Sequence, residues 1–117
     1  MTRVNAGIPP SCLSRQHLLA EAREIKRIPN LIKKGKYNLK GQPKEFTLGT
    51  GHVKFFYTRL GYLLKRYKEL YQEGISRGYD MTDFSGAWIG VPQDFMGDYT
   101  PTEQAVEIIK QRIKQRS

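Results

Sequence analysis

Apolar residues recur every three or four positions in three stretches of the chain, which is the spacing of an amphipathic α-helix. This spacing predicts helices over residues 14–28, 53–77 and 101–116. No stretch alternates between apolar and polar residues for long enough to build a sheet. At 117 residues the chain has room for one modest core. We therefore expect an all-α fold, a compact single domain over residues 1–117 with three main helices joined by long loops.

Local signals mark the ends of the predicted helices. Ser14 is expected to cap the first helix and Pro29 to end it, because proline lacks the N–H that a helix interior needs. Gly78 follows the second helix as a C′ glycine. The TPTE sequence predicts a capping box at the third helix, with Thr100 as the N-cap and Glu103 as its partner.

The same periodicity predicts which side of each helix is buried. Apolar residues form one side of the first helix, namely Leu18, Leu19, Ala22 and Ile25. Polar residues occupy the other side, namely Gln16, His17, Glu21, Glu24 and Arg27. The second helix has a largely aromatic stripe, which we interpret as core rather than as a surface for stacking bases. Its members are Phe56, Leu60, Leu63, Tyr67, Leu70 and Tyr71.

The chain is basic, with a net charge of +9 that is unevenly distributed. Residues 1–77 contain 16 basic and 5 acidic side chains, whereas residues 78–109 contain six acidic and no basic ones. Positive charge returns in the third helix, where Arg112 and Arg116 lie four residues apart. This excess favours a polyanionic partner, of which nucleic acid is the first candidate. A basic surface that serves only solubility is the alternative.

Cysteine and histidine usage limits the other classes of function. The single cysteine, Cys12, excludes an intrachain disulfide, and we expect it to be a small buried residue in a protein of a reducing compartment. No Cys or His pair has the spacing of metal ligands, so no metal site is expected. The start of the chain lacks the apolar core of a signal peptide, which favours an intracellular location.

Thr2 is a candidate nucleophile if Met1 is removed, because the residue after Met1 is then the amino terminus. An α-amine has the lowest unperturbed pKa of any protein amine, about 7.7 to 8.0, and can attack a sugar carbon. Glu24 lies between Arg23 and Arg27 in the sequence AEAREIKR. This arrangement suits either a salt-bridged surface or a base that works beside bound phosphate, and the residues alone leave both open.

Four blocks in order along the chain resemble one protein family. They are MTRVN, QHLLAEAREIKR, LGTGHVKFFY and VPQDFMGDYTPTE. Together they are similar to the pyrimidine-dimer DNA glycosylases of the bacteriophage endonuclease V type, over residues 2 to 116. The resemblance implies a helical domain in which the N-terminal segment threads between the helices. It also implies excision of one base of an ultraviolet-induced cyclobutane pyrimidine dimer, followed by strand cleavage as an abasic-site (AP) lyase.

The resemblance also implies roles for individual residues. The α-amine of Thr2 would attack C1′ of the damaged nucleotide and form a Schiff base, with Glu24 assisting the proton transfers and no metal or organic cofactor. Residues that match DNA-contacting or lesion-positioning positions of the family are Arg3, Gln16, His17, Arg23, Arg27, Arg112 and Arg116. The expected partner is damaged double-stranded DNA, bound by a monomer in the cytoplasm of a bacterial or phage-infected cell.

Two other functions remain open from the sequence. One is a glycosylase/lyase that shares Thr2 and Glu24 but acts on another damaged or modified base. The other is a non-catalytic DNA-binding protein that has only the basic surface.

Overall fold

The computed structural model describes residues 2–116, apart from the side chains of Thr50 and Arg116. Five α-helices lie in this part of the chain, together with four short 3₁₀ turns. The helices are α1 (Arg15–Glu24), α2 (Arg27–Lys33), α3 (His52–Phe55), α4 (Leu60–Ser76) and α5 (Glu103–Arg116). The described residues contain no β-strand beyond one isolated bridge between Arg59 and Met96. The all-α prediction is therefore confirmed.

The first predicted helix is divided into α1 and α2. Ser14 caps α1 as expected, because its hydroxyl accepts a hydrogen bond from the His17 amide at 3.2 Å. Pro29 does not end this helix, and that prediction was wrong. The helix ends earlier, at Glu24, and Pro29 lies in the first turn of α2, where its missing N–H would have no intrahelical partner.

The second predicted helix is also divided, because residues 56–59 leave the helical path between α3 and α4. The side-chain amide of Gln42 donates to the carbonyl oxygens of Lys54 at 3.0 Å and Phe55 at 3.3 Å. These carbonyls are thereby satisfied without a further turn of helix. The end of α4 follows the prediction, since Gly78 has a φ of +82° and its amide donates to the Ile75 carbonyl at 2.9 Å.

α5 begins two residues later than the capping box predicts. Thr102, not Thr100, caps the helix, because its hydroxyl accepts a hydrogen bond from the Ala105 amide at 3.0 Å. Glu103 is consequently the first residue of the helix rather than the partner in a capping box. The sequence TPTE holds two threonines that can cap, and the structure selects the second.

The core lies between α1 and α4 and includes most of the predicted apolar faces. Its fully buried large side chains include Leu18, Ile25, Phe56, Leu60, Leu63, Tyr67, Leu70 and Ile109. The stripe of the second predicted helix is thus core, as predicted, although Phe56 lies before α4 and Tyr71 is only partly buried. Cys12 is exposed, so its predicted burial was wrong; it lies in a surface 3₁₀ turn over Pro10–Cys12. None of the helices in residues 2–116 has the length and apolar character needed to cross a membrane.

The N-terminal segment, residues 2–8, threads between the helices, as the family resemblance implies. Val4 and Ala6 are completely buried. Gly7 has a φ of +80°, and a Cβ atom there would lie 2.6 Å from Val106 of α5. Glycine therefore permits both the turn and the close approach to α5 at this position.

Gly97 is a second position where only glycine fits. Its amide donates to the Thr58 carbonyl oxygen at 3.2 Å, and a Cβ atom on Gly97 would overlap that same oxygen. We expect Gly97→Ala to lower the free energy of unfolding by about 1–3 kcal/mol, as overpacking does elsewhere. Chemical denaturation measures this change. Gly86→Ala is the matched control, because no atom lies within 4 Å of a Cβ built on Gly86. Equal loss of stability in both variants would contradict the prediction.

Candidate active site

Three helices hold the N-terminal segment through hydrogen bonds to two consecutive residues. The Val4 amide donates to Nε2 of His52 on α3 at 2.9 Å. The Asn5 side-chain amide donates to Oε1 of Glu21 on α1 at 2.8 Å, and Oδ1 of Asn5 accepts from Nη2 of Arg112 on α5 at 2.9 Å. Because the partners come from separate helices, the path of this segment is fixed by the packing of the whole domain.

A buried ion pair between Glu21 and Arg66 supports this anchor. Arg66 of α4 donates through Nε and Nη2 to the two carboxylate oxygens of Glu21, at 2.8 and 3.0 Å. Both side chains are almost completely buried, with 1% of Glu21 and 3% of Arg66 exposed. Burial alone would lower the pKa of Arg66, but the attraction of Glu21 and its hydrogen bonds, together with smaller effects of Tyr62 and Glu69, outweigh burial and raise the pKa. Arg66 also donates through Nη1 to the Ile8 carbonyl, which ties the pair to the N-terminal segment.

The periodicity of α1 predicts that Glu21 lies on an exposed polar face. The structure buries this side chain instead. The signal that identifies its partner was present in the sequence, because Arg66 falls within the apolar stripe of α4 between Leu63 and Tyr67. A charged residue in such a stripe requires a buried partner of opposite charge. The sequence reasoning missed Asn5, His52 and Arg66 as residues that hold the site.

A cavity of about 200 Å³ opens between the N-terminal segment, α1 and α5. It is lined by Arg3, Asn5, His17, Ala20, Glu21, Glu24, Arg112 and Ile113. Four of the predicted site residues are thus brought together here from three separate elements: Arg3, His17, Glu24 and Arg112. The lining residues include two with carboxylates, one with an imidazole and two with guanidinium groups, a combination that suits proton transfer beside a bound phosphate.

Glu24 lies at the last residue of α1, with 17% of its side chain exposed. It makes an ion-pair contact with Nη2 of Arg23 at 4.0 Å, and the Arg23 side chain is 63% exposed. Such a long contact with a solvated guanidinium contributes little to stability. Of the two interpretations open for AEAREIKR, the geometry therefore favours a carboxylate directed towards a working cavity over a tight surface salt bridge.

A second, more open hollow of about 510 Å³ adjoins the first. Arg3 and Arg112 line both of them. Gly49, with a φ of +76°, and the amide side chains of Gln111 and Gln115 also line the second hollow. The LGTGHV sequence thus contributes a glycine to the surface beside the candidate site. Because glycine has no side chain, a phosphate group of a ligand can approach the backbone there.

The remaining predicted residues lie outside the lining of the first cavity. Thr2 is buried, with 9% of its surface exposed, directly before Arg3. Gln16, Arg23 and Arg27 are exposed. Arg27 begins α2 instead of continuing the polar side of α1, because α1 ends at Glu24. Arg116 is the last residue of α5, and its side chain lies outside the described part of the chain, as does Met1.

Comparison with known proteins identifies the family of the chain. A sequence model of the family described as pyrimidine dimer DNA glycosylase matches residues 1–85. The matched region includes the N-terminal segment and the helices from α1 to α4, and hence Arg3, His17 and Glu24 of the cavity. The match supports glycosylase activity on pyrimidine dimers, and therefore DNA as the substrate. The chain belongs to the pyrimidine dimer DNA glycosylase family.

Proposed function

We propose that the protein excises one base of a cyclobutane pyrimidine dimer in double-stranded DNA and then cleaves the strand as an AP lyase, through a Schiff base on the α-amine of Thr2. The proposal requires removal of Met1, which lies outside the described residues. The observation that carries it is that Arg3 and Asn5, which immediately follow Thr2 and Val4, share one cavity with Glu24. This supports the proposal, because Thr2 directly precedes Arg3 in the chain and its amine is therefore one residue away from the lining of that cavity.

The proposed reaction has three stages, which are displacement of the base, β-elimination and hydrolysis of the imine. The free amine attacks C1′, the bond from C1′ to the base breaks, and the base leaves with the bonding electrons and takes up a proton. The C1′–O4′ bond then breaks, O4′ takes up a proton as the sugar ring opens, and a protonated imine forms between C1′ and the Thr2 nitrogen. Loss of a proton from C2′ then expels the 3′ phosphate by β-elimination, and hydrolysis of the imine releases the enzyme.

Glu24 carries the proton transfers in this scheme. Its carboxylate takes a proton from the attacking amine, stabilises the cationic sugar and imine, and assists removal of the C2′ proton. Its side chain is 17% exposed in the lining of the cavity, so solvent reaches it. No metal or organic cofactor takes part, because the amine and the carboxylate supply the nucleophile and the base.

The basic residues provide the DNA contacts of the proposal. Arg3 and Arg112 line the cavity and bind phosphates beside the lesion. The exposed side chains of Gln16, Arg23 and Arg27, with Arg116 at the end of α5, extend this surface along the duplex. His17 stands at the cavity wall, where its Nδ1 is 3.1 Å from the Ser14 hydroxyl and its ring is available to the damaged nucleotide. The protein acts on DNA as a monomer in the cytoplasm.

Borohydride trapping tests the proposal, because it reduces the imine to a stable amine. Protein with a free Thr2 terminus, verified by mass spectrometry, is incubated with irradiated duplex DNA, intact duplex and a duplex that contains an abasic site. We expect a covalent adduct on irradiated and abasic DNA but not on intact DNA, with the adduct mapped to the Thr2 nitrogen. Protein that retains Met1 is the control and is expected to form no adduct there.

The same experiment separates the two alternatives. An adduct only with the preformed abasic site indicates a lyase whose glycosylase acts on another damaged or modified base. Binding to all three duplexes without any adduct indicates a non-catalytic DNA-binding protein, and overturns the Schiff-base mechanism.

A further inference from the structure

His52 is a buried histidine that joins the N-terminal segment to the loop before α3. It is 3% exposed. Its Nε2 accepts the hydrogen bond from the Val4 amide at 2.9 Å, and its Nδ1 lies 2.9 Å from the Thr47 carbonyl oxygen. A carbonyl can only accept, so Nδ1 carries the proton and Nε2 provides the lone pair. An imidazolium ring carries a proton on both nitrogens and cannot accept from Val4.

The surroundings of His52 favour the neutral ring. Burial lowers its pKa below the ordinary 6.5, and the bond to the Thr47 carbonyl offsets only part of this effect. Charged groups face the ring from three elements, with Arg112 on α5 and Arg3 on the N-terminal segment lowering the pKa and Glu21 on α1 raising it. The aromatic edges of Phe46 and Phe56 pack against the ring at centroid distances of 5.3 and 5.5 Å.

The sign of the resulting pH dependence follows from the direction of this shift. Because the pKa of His52 is lower in the folded state, the unfolded chain binds more protons as the pH falls below 6.5. The stabilising contribution of neutral His52 is fully present above pH 6.5 and is lost as the pH falls from there through the folded-state pKa.

The Val4 amide is close enough to the terminus to control where the Thr2 amine lies. Two residues of extended chain span at most about 7 Å, so fixing the Val4 nitrogen confines the Thr2 nitrogen to that distance. Val4 itself is completely buried, and Asn5 is held independently by Glu21 and Arg112. Among the hydrogen bonds described above, the one from Val4 to His52 is therefore the nearest to Thr2 along the chain.

We propose that His52 is a positioning residue, whose neutral ring holds the N-terminal segment at the cavity through the Val4 amide and whose protonation releases that hold. The inference rests on the proposed role of the Thr2 amine. His52 touches neither the substrate nor the reacting atoms; it acts through the backbone of Val4.

Amide hydrogen exchange at Val4, followed by NMR, tests the hold without reference to activity. In His52→Leu the acceptor is lost, and we expect the protection factor of the Val4 amide to fall about tenfold or more, the value of one hydrogen bond. His52→Gln retains an acceptor oxygen and should keep most of the protection. In the wild type the protection factor should decline as the pH falls below 6.5, and in His52→Gln it should not. Unchanged protection in His52→Leu overturns the proposal.

Schiff-base trapping on a preformed abasic site tests the consequence for catalysis. The trapping rate falls in every variant as the pH is lowered, because the attacking amine must be unprotonated. We expect a steeper acidic limb in the wild type than in His52→Gln, since only the wild type also protonates the ring. His52→Leu should trap about tenfold more slowly at neutral pH, with rescue in His52→Gln. Parallel acidic limbs, or wild-type trapping by His52→Leu, overturn the proposal.

The two measurements separate this inference from the proposed function. If the wild type forms no adduct, the Schiff-base mechanism fails. His52 then has no reactive amine to position, so its proposed effect on catalysis is overturned, even if hydrogen exchange shows that it holds the Val4 amide. If the wild type forms the adduct and His52→Leu traps equally fast, the mechanism stands and the role of His52 is refuted. Chemical denaturation of both variants establishes that the comparison is made on folded protein.

Discussion

Glu24→Gln should lower the single-turnover rate of strand cleavage on irradiated DNA by about 10²–10⁴-fold, which is the usual contribution of a general acid–base group. Glutamine keeps the size and shape of the side chain at the cavity wall but neither takes up a proton nor carries the negative charge that stabilises the imine. DNA binding should be retained, because the guanidinium groups of Arg3 and Arg112 at the same cavity are unchanged. Quenched-flow cleavage assays and a binding titration measure the two quantities separately.

Glu69→Gln is the matched control for this variant. Glu69 is an exposed glutamate on α4, so its replacement makes the same change in net charge away from the cavity lining. Cleavage by Glu69→Gln should match the wild type. Equal rates in Glu24→Gln and the wild type would remove Glu24 from the mechanism, whereas parallel losses in both variants would indicate that net charge, not proton transfer, is responsible.

Local signals were sufficient to predict the beginning of α1 and the end of α4. Ser14 and Gly78 act through bonds to residues three positions away, from the Ser14 hydroxyl to His17 and from the Gly78 amide to Ile75. Such signals are complete within one turn of helix, so the sequence carries them in full. The family resemblance extended the prediction to the path of the N-terminal segment, which periodicity alone does not reveal.

The breaks within the predicted helices could not be read from local sequence, because they depend on distant partners. The end of α3 is satisfied by Gln42, and the start of α4 packs against the backbone at Gly97. A Cβ on Gly61 would lie 2.6 Å from the Met96 carbonyl oxygen, which shows how closely the two backbones approach. Periodicity indicates which side of a helix is buried, and the stripe of α4 was predicted correctly for that reason. Periodicity does not indicate where the helix axis is interrupted.

The candidate site, like the helices, could be predicted from the sequence only in part. The resemblance identified the cavity residues Arg3, His17, Glu24 and Arg112, which the structure brings together. The residues that hold them were missed, because their partners are far apart in sequence: Asn5 and Arg112 are 107 residues apart, and Glu21 and Arg66 are 45 apart. A polar residue whose partner is unknown is read as exposed, and Glu21 on α1 was misread in this way.

Arg66→Met should lower the free energy of unfolding by about 3–5 kcal/mol, the usual cost of breaking a buried ion pair from one side. The substitution leaves the Glu21 carboxylate 1% exposed with its main cationic partner removed, and the Ile8 carbonyl loses the bond from Nη1. Equilibrium unfolding in urea at neutral pH measures the change. Lys65→Met is the control, because the Lys65–Asp98 pair is solvent-exposed and its loss should leave the unfolding midpoint nearly unchanged.

The double variant Arg66→Met with Glu21→Leu distinguishes the cost of an uncompensated charge from the loss of packing. With no charge left in the core, we expect it to recover part of the stability that Arg66→Met loses, as apolar replacements of buried ion pairs do elsewhere. Recovery should remain incomplete, because the Asn5 side-chain amide loses the Glu21 oxygen that it contacts at 2.8 Å. If the double variant is no more stable than Arg66→Met, the buried carboxylate is not what destabilises the single variant. Strand cleavage should be impaired both in Arg66→Met and in the double variant, even where stability returns, because Glu21 and Arg66 also hold the N-terminal segment that carries Thr2.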